Sequence, residues 1–353
     1  MKSTARDIQL DLYRGMIMMY ILCVIHVTYW LNVNYPPPIK SAMLFEMPVI
    51  FFISGASLQI TGTNRSFLSN SKNRIKRVLL PFYVYLGILI IGYFILSEIA
   101  NFLGNGVILP ALSLNYRNII VPNDSPINLP FMYHLWFIVP FLLIYCSFSI
   151  QKKAAIWCGN LVYILCAFLL FSISCFTNSI LLREMLGYNV FFMAGYFYYK
   201  KLSVKNIFLI LVISAIAILI STQTGIPFSP MQLHKFPPDM YFIMFGTCAI
   251  SLLGLLFTFV KIPNYNLIQQ WNRNGYTIYL WQSVVFLIVN FLDIHIFKTN
   301  SLVRAIALMF FVFVIATVSS YILAPIEKYA VKLLLRGYHW ILKQFSSLDT
   351  IVR

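Results

Sequence analysis

Apolar residues run through this chain in long blocks, unlike the alternating pattern of half-buried strands or the one-sided stripe of soluble helices. Blocks of roughly 17–25 residues have the length of membrane-crossing helices. Ten are read, at about 13–33, 42–60, 79–103, 133–150, 156–176, 185–199, 206–222, 240–260, 275–294 and 303–324. The first is too long, and starts too close behind Asp7 and Asp11, for a cleavable signal peptide. The pattern predicts an all-α polytopic membrane protein with no attached soluble catalytic domain. Most connections are short. The exceptions are 61–78, 104–132, where Asn123-Asp124-Ser125-Pro126 supplies turn chemistry, and the proline-rich 223–239.

Composition agrees with lipid as the solvent. Sixty per cent of the 353 residues are hydrophobic and only 10% are charged, against about 25% charged in a soluble domain. The formal charge of +16 reflects 26 Lys and Arg against 10 Asp and Glu. With both termini inside, twenty of those 26 basic residues fall on inner segments and six on outer ones, a strong positive-inside bias. Spread over six inner segments, the basic residues form no stripe for nucleic acid. Cys23, Cys146, Cys158, Cys166, Cys175 and Cys248 lie within apolar blocks with no CxxC spacing. They imply buried thiols; neither a disulfide framework nor a metal site is expected.

Ionisable groups at membrane depth are costly and therefore candidates for function. Asp11 and Arg14 are three positions apart, so they share a helix face and can pair. His26 lies 12 residues beyond Arg14, about 18 Å along a helix axis, either as a packed core histidine or as a proton carrier. Ser54-Gly55 fits close helix packing. Arg74-Ile75-Lys76-Arg77 is either an inner-face anchor or a phosphate-binding cluster, since guanidinium groups match phosphate oxygens. His134 and Trp136 open the fourth block on the outer side, Trp136 as an interface anchor or a glycan contact. Asp239 suits a helix start, and Glu327, after Pro325, caps or pairs at the end of the last block.

These segments together resemble the acyltransferase-3 family of integral membrane acyltransferases. The resemblance rests on Leu10-Asp11-Leu12-Tyr13-Arg14-Gly15 with the downstream His26, and on Met47-Pro48-Val49-Ile50-Phe51-Phe52-Ile53-Ser54-Gly55. It continues through Arg74-Ile75-Lys76-Arg77-Val78-Leu79-Leu80-Pro81, Leu135-Trp136-Phe137, Ile278-Tyr279-Leu280 and Glu327. The motifs occur in the family's order across the chain, as one domain over 1–353.

The resemblance implies a carbohydrate O-acetyltransferase-like enzyme in the cytoplasmic membrane of a bacterium. Acetyl would pass from cytoplasmic acetyl-CoA, a co-substrate, to a hydroxyl of a glycan or lipid-linked glycan. His26 would be the base, with Arg14 and Asp11 in the catalytic group. Arg74, Lys76 and Arg77 would hold the acyl-CoA phosphates; His134, Trp136 and Gln282 would meet the acceptor. Relatives place ten residues between the arginine and the histidine, whereas here there are eleven. In a regular helix that sets the two side chains about 120° apart; a π-bulge would absorb the extra residue. Gln282 stands where many relatives carry histidine. A transporter or flippase for a lipid-linked glycan, a succinyltransferase and a non-catalytic scaffold subunit are the alternatives.

Overall fold

The computed structural model describes residues 7–61, 67–102, 114–120, 130–296 and 302–351. Among them ten long helices form the bundle. These are α1 (Ile8–Trp30), α2 (Glu46–Thr61), α3 (Phe67–Phe102), α4 (Ile138–Cys158) and α5 (Asn160–Ser174). The series continues with α6 (Ile180–Tyr198), α7 (Val204–Gln223), α8 (Met240–Phe259), α9 (Gly275–Ile296) and α10 (Leu302–Ile351). Eight stretches are long and apolar enough to cross a membrane. The other two expected spans correspond to the shorter apolar α5 and to α6, which carries Arg183 and Glu184 near its start.

Side-chain burial separates a lipid-facing rim from a packed centre. On α7 the large residues Phe208, Leu209, Ile213, Ile216, Leu219 and Ile220 are all exposed, an arrangement that water would penalise and lipid does not. At the centre α2 packs along α6. The contact is close because both helices present glycine: a Cβ on Gly55 would overlap the Phe192 carbonyl, and one on Gly195 the Phe52 carbonyl. Small residues permit this approach where no hydrophobic force drives helices together.

Three boundaries differ from the sequence expectation. Helix α3 begins at Phe67, so Arg74, Lys76 and Arg77 stand on a helix and not in the connection before it. Helix α10 does not stop near 324. It continues through Pro325, which removes only one N–H from the ladder. Glu327 therefore caps nothing and instead accepts from Thr277 Oγ1 at 3.1 Å. Residues 133–137 form a tight 3-10 turn leading into α4. Asp239 starts α8 as expected, accepting from the Phe242 amide at 2.9 Å. Asn123-Asp124-Ser125-Pro126 lies outside the described residues.

Candidate active site

Helix α1 organises the site because both of its ends carry candidate chemistry. Between Arg14 and His26 the backbone leaves the α-pattern and forms a π-helix over Ile21–His26. A π-turn bonds i to i+5 and so accommodates one residue more than an α-turn. That is the device the eleven-residue spacing requires.

At the far end of α1, His26 Nδ1 lies 2.6 Å from Gln282 Oε1 of α9. A glutamine oxygen can only accept, so Nδ1 carries the proton and Nε2 keeps its lone pair. The imidazole stacks on Trp30 at 4.1 Å with 5° between planes, and Phe286 meets it edge-on at 6.2 Å. The ring is thus fixed in plane and in tautomer.

A cavity of about 340 Å³ opens beside this ring. His26 and Trp30 of α1, Glu46 of α2, His134 and Trp136 are among its lining residues, with Glu184 and Lys235. Lys235 Nζ donates to Glu46 Oε1, and both side chains are buried. His134 Nδ1 donates to the Phe131 carbonyl at 3.2 Å. Tyr279 donates to the carbonyl of His134, holding α9 against the start of α4. Trp136 packs edge-on against Phe236 at 4.8 Å. The segment after α7 closes over the cavity, pinned by Met231 N to Ser41 Oγ at 3.1 Å and Arg183 Nη2 to the Pro238 carbonyl at 3.2 Å.

A second group gathers towards the other end of α1. Arg14 Nη2 donates to Ser57 Oγ of α2, whose own proton goes to the Ile53 carbonyl at 2.7 Å. Asp11 lies within electrostatic reach of Arg14, and Arg14 of Arg74. The Arg74 guanidinium sits over the Tyr145 ring at 3.8 Å, and its Nε is buried without a hydrogen-bond partner. Arg77 is exposed one turn on, and Lys76 is half-buried.

The nine candidate residues therefore separate into two groups. His26, His134 and Trp136 line the cavity, while Gln282, expected to meet the acceptor, is fully buried behind His26. Arg14, Asp11 and Arg74 form the other cluster, with Lys76 and Arg77 beside Arg74 on α3. Sequence reasoning did not single out Ser57, Tyr145, Glu184 or Lys235 as site residues. Glu184 carried a usable signal, being an ionisable group at the edge of an apolar block, whereas Lys235 lies within the proline-rich connection 223–239. Ser57 and Tyr145 carried none. Among the described residues no group of three or more His, Cys, Asp or Glu side chains could hold a metal ion. A larger, mostly apolar cavity of about 510 Å³ lies between α1, α2, α7 and α8, away from His26.

The fold is thus a polytopic helical bundle in which a half-buried histidine lines a cavity and a cationic cluster gathers between α1 and α3. Residues 7–324 match the family described as an acyltransferase domain. The chain belongs to this acyltransferase-3 family and is a membrane acyltransferase. No curated protein and no solved structure gives a significant match.

Proposed function

We propose that this acyltransferase carries acetyl from cytoplasmic acetyl-CoA to a hydroxyl of a cell-surface or exported glycan, in a bacterial cytoplasmic membrane. The observation that carries the reading is the His26–Gln282 contact at the edge of the cavity. With Nδ1–H held by Gln282, His26 Nε2 takes the proton of the acceptor hydroxyl as general base. The hydroxyl oxygen attacks the thioester carbonyl carbon, the C–S bond breaks, and the proton passes to the departing CoA thiolate. Arg14, Arg74, Lys76 and Arg77 bind the donor phosphates, with Asp11 orienting Arg14. The two groups stand about 18 Å apart along α1, so the donor's narrow thiol arm, not its nucleotide, reaches His26. His134 and Trp136 meet the acceptor, while Gln282 acts through His26.

Isolated membranes supplied with labelled acetyl-CoA test this. Wild type labels glycan, and His26→Ala lowers the rate by about 10²–10⁴-fold. Equal labelling by the two removes His26 as base. Labelling from succinyl-CoA alone changes the acyl group, and glycan movement without release of free CoA replaces transfer with transport.

A further inference from the structure

Two buried acceptor atoms without partners belong to residues that line the cavity beside His26. His134 spends its one ring proton on the Phe131 carbonyl, which leaves Nε2 as a lone pair. That atom is buried without a partner in a residue only 2% exposed. Glu46, also 2% exposed, gives one oxygen to Lys235, and its Oε2 is buried with no partner. Glu184 adds a second carboxyl group to the same lining. The tyrosine hydroxyls nearby are turned away: Tyr29 donates to the Lys40 carbonyl at 2.9 Å and Tyr279 to the His134 carbonyl. Among the lining residues Lys235 is the one Lys or Arg, and Glu46 holds it.

An unpartnered buried acceptor costs about 1–3 kcal/mol, so these atoms suit an occupant that brings hydrogen-bond donors. A carboxylate or phosphate would bring further acceptors and meet two carboxyl groups with no uncommitted Lys or Arg. Trp136 brings an aromatic ring to the lining that suits the C–H face of a pyranose, whereas the Trp30 ring is stacked between His26 and Phe131.

We infer that the cavity selects an uncharged or amino-bearing, hydroxyl-rich acceptor unit and rejects one bearing a carboxylate or phosphate, with Glu46, His134 and Glu184 setting that specificity. The inference rests on the reading above in taking the occupant to be the acceptor. Protein reconstituted in nanodiscs is titrated with cellobiose, the free-amine dimer of glucosamine and cellobiouronic acid, following quenching of tryptophan fluorescence. The neutral and amino disaccharides bind at least about tenfold more tightly than the acid, as like-charge juxtaposition requires. Glu184→Gln, which leaves the Glu46–Lys235 pair intact, narrows that ratio. Equal or tighter binding of the acid, no quenching by any of the sugars, or a ratio indifferent to Glu184→Gln overturns the inference. The titration contains no acyl donor, so lost acetyl transfer with intact discrimination would sink the proposed function and leave the selectivity standing.

Discussion

Lys235 and Glu46 are 189 positions apart, yet they form a buried ion pair that fastens the segment after α7 to the first turn of α2. Removing one partner strands the other charge. Glu46→Gln and Lys235→Met each destabilise the fold by about 3–5 kcal/mol, while the double variant Glu46→Leu/Lys235→Met recovers most of the loss. Unfolding of the purified protein in detergent, read from the single and double variants, measures this. Additive losses would show that the pair is not coupled.

In the proposed mechanism Gln282 acts through the orientation of His26. Gln282→Glu retains an acceptor for Nδ1–H and keeps activity, whereas Gln282→Leu lowers kcat about tenfold with little change in the KM for acetyl-CoA. Steady-state rates of CoA release separate the two constants.

Arg74 and Arg77 occupy successive turns of α3 in different settings, one over Tyr145 and one exposed. Arg74→Ala raises the KM for acetyl-CoA about tenfold, as loss of a charge-assisted contact does. Arg77→Ala raises it about twofold, in keeping with a solvated charge. Arg74→Lys behaves nearer to Ala than to wild type, since a lysine cannot reproduce the flat stack or the forked donors.

Where α2 and α6 cross, any side chain at Gly55 or Gly195 meets backbone. Gly195→Ala therefore destabilises by at least about 1–3 kcal/mol. Gly87→Ala, with nothing within 4 Å of the added carbon, is neutral or stabilising by up to about 1 kcal/mol. Thermal unfolding in detergent compares the two.

Asp7 caps α1 through the Leu10 amide and accepts from Lys200 at 2.6 Å and Tyr199 at 3.1 Å. Burial alone would raise its carboxyl, but these hydrogen bonds outweigh burial and hold it below the usual carboxylate range. A lowered folded value means the stabilisation is complete above about pH 4, the unfolded value. It is lost as pH falls through the folded value. Asp7→Asn keeps the cap and removes the charge. The stability gap to wild type is below about 1 kcal/mol at pH 7, because Lys200 is 61% exposed, and it closes on acidification. A gap that widens in acid would contradict this.

The fold was legible because lipid exposure writes itself into long apolar blocks. Boundaries were harder where helices outrun the apolar block, as α3 and α10 do at their basic ends. Within the site, His26 and Arg14 stood out as ionisable groups inside an apolar block, and Arg74 as part of a basic run just before one. Lys235 was read only as one of the six outer charges, since sequence cannot tell a lysine that snorkels to water from one folded back onto a carboxylate. Ser57 and Tyr145 become part of the cationic cluster through helix contacts that no local pattern announces.

The π-segment of α1 also fixes how a single rod can be aimed at both ends. In an uninterrupted helix, any rotation that aimed Arg14 at α2 would dictate the azimuth of a residue twelve positions later. One wider turn at Ile21–His26 takes up the eleventh intervening residue, so the imidazole keeps the heading that ten residues of regular helix would give it. Deleting one residue there would let an unbroken α-helix carry the imidazole to Gln282 on the same heading, with no change in the chemical groups present.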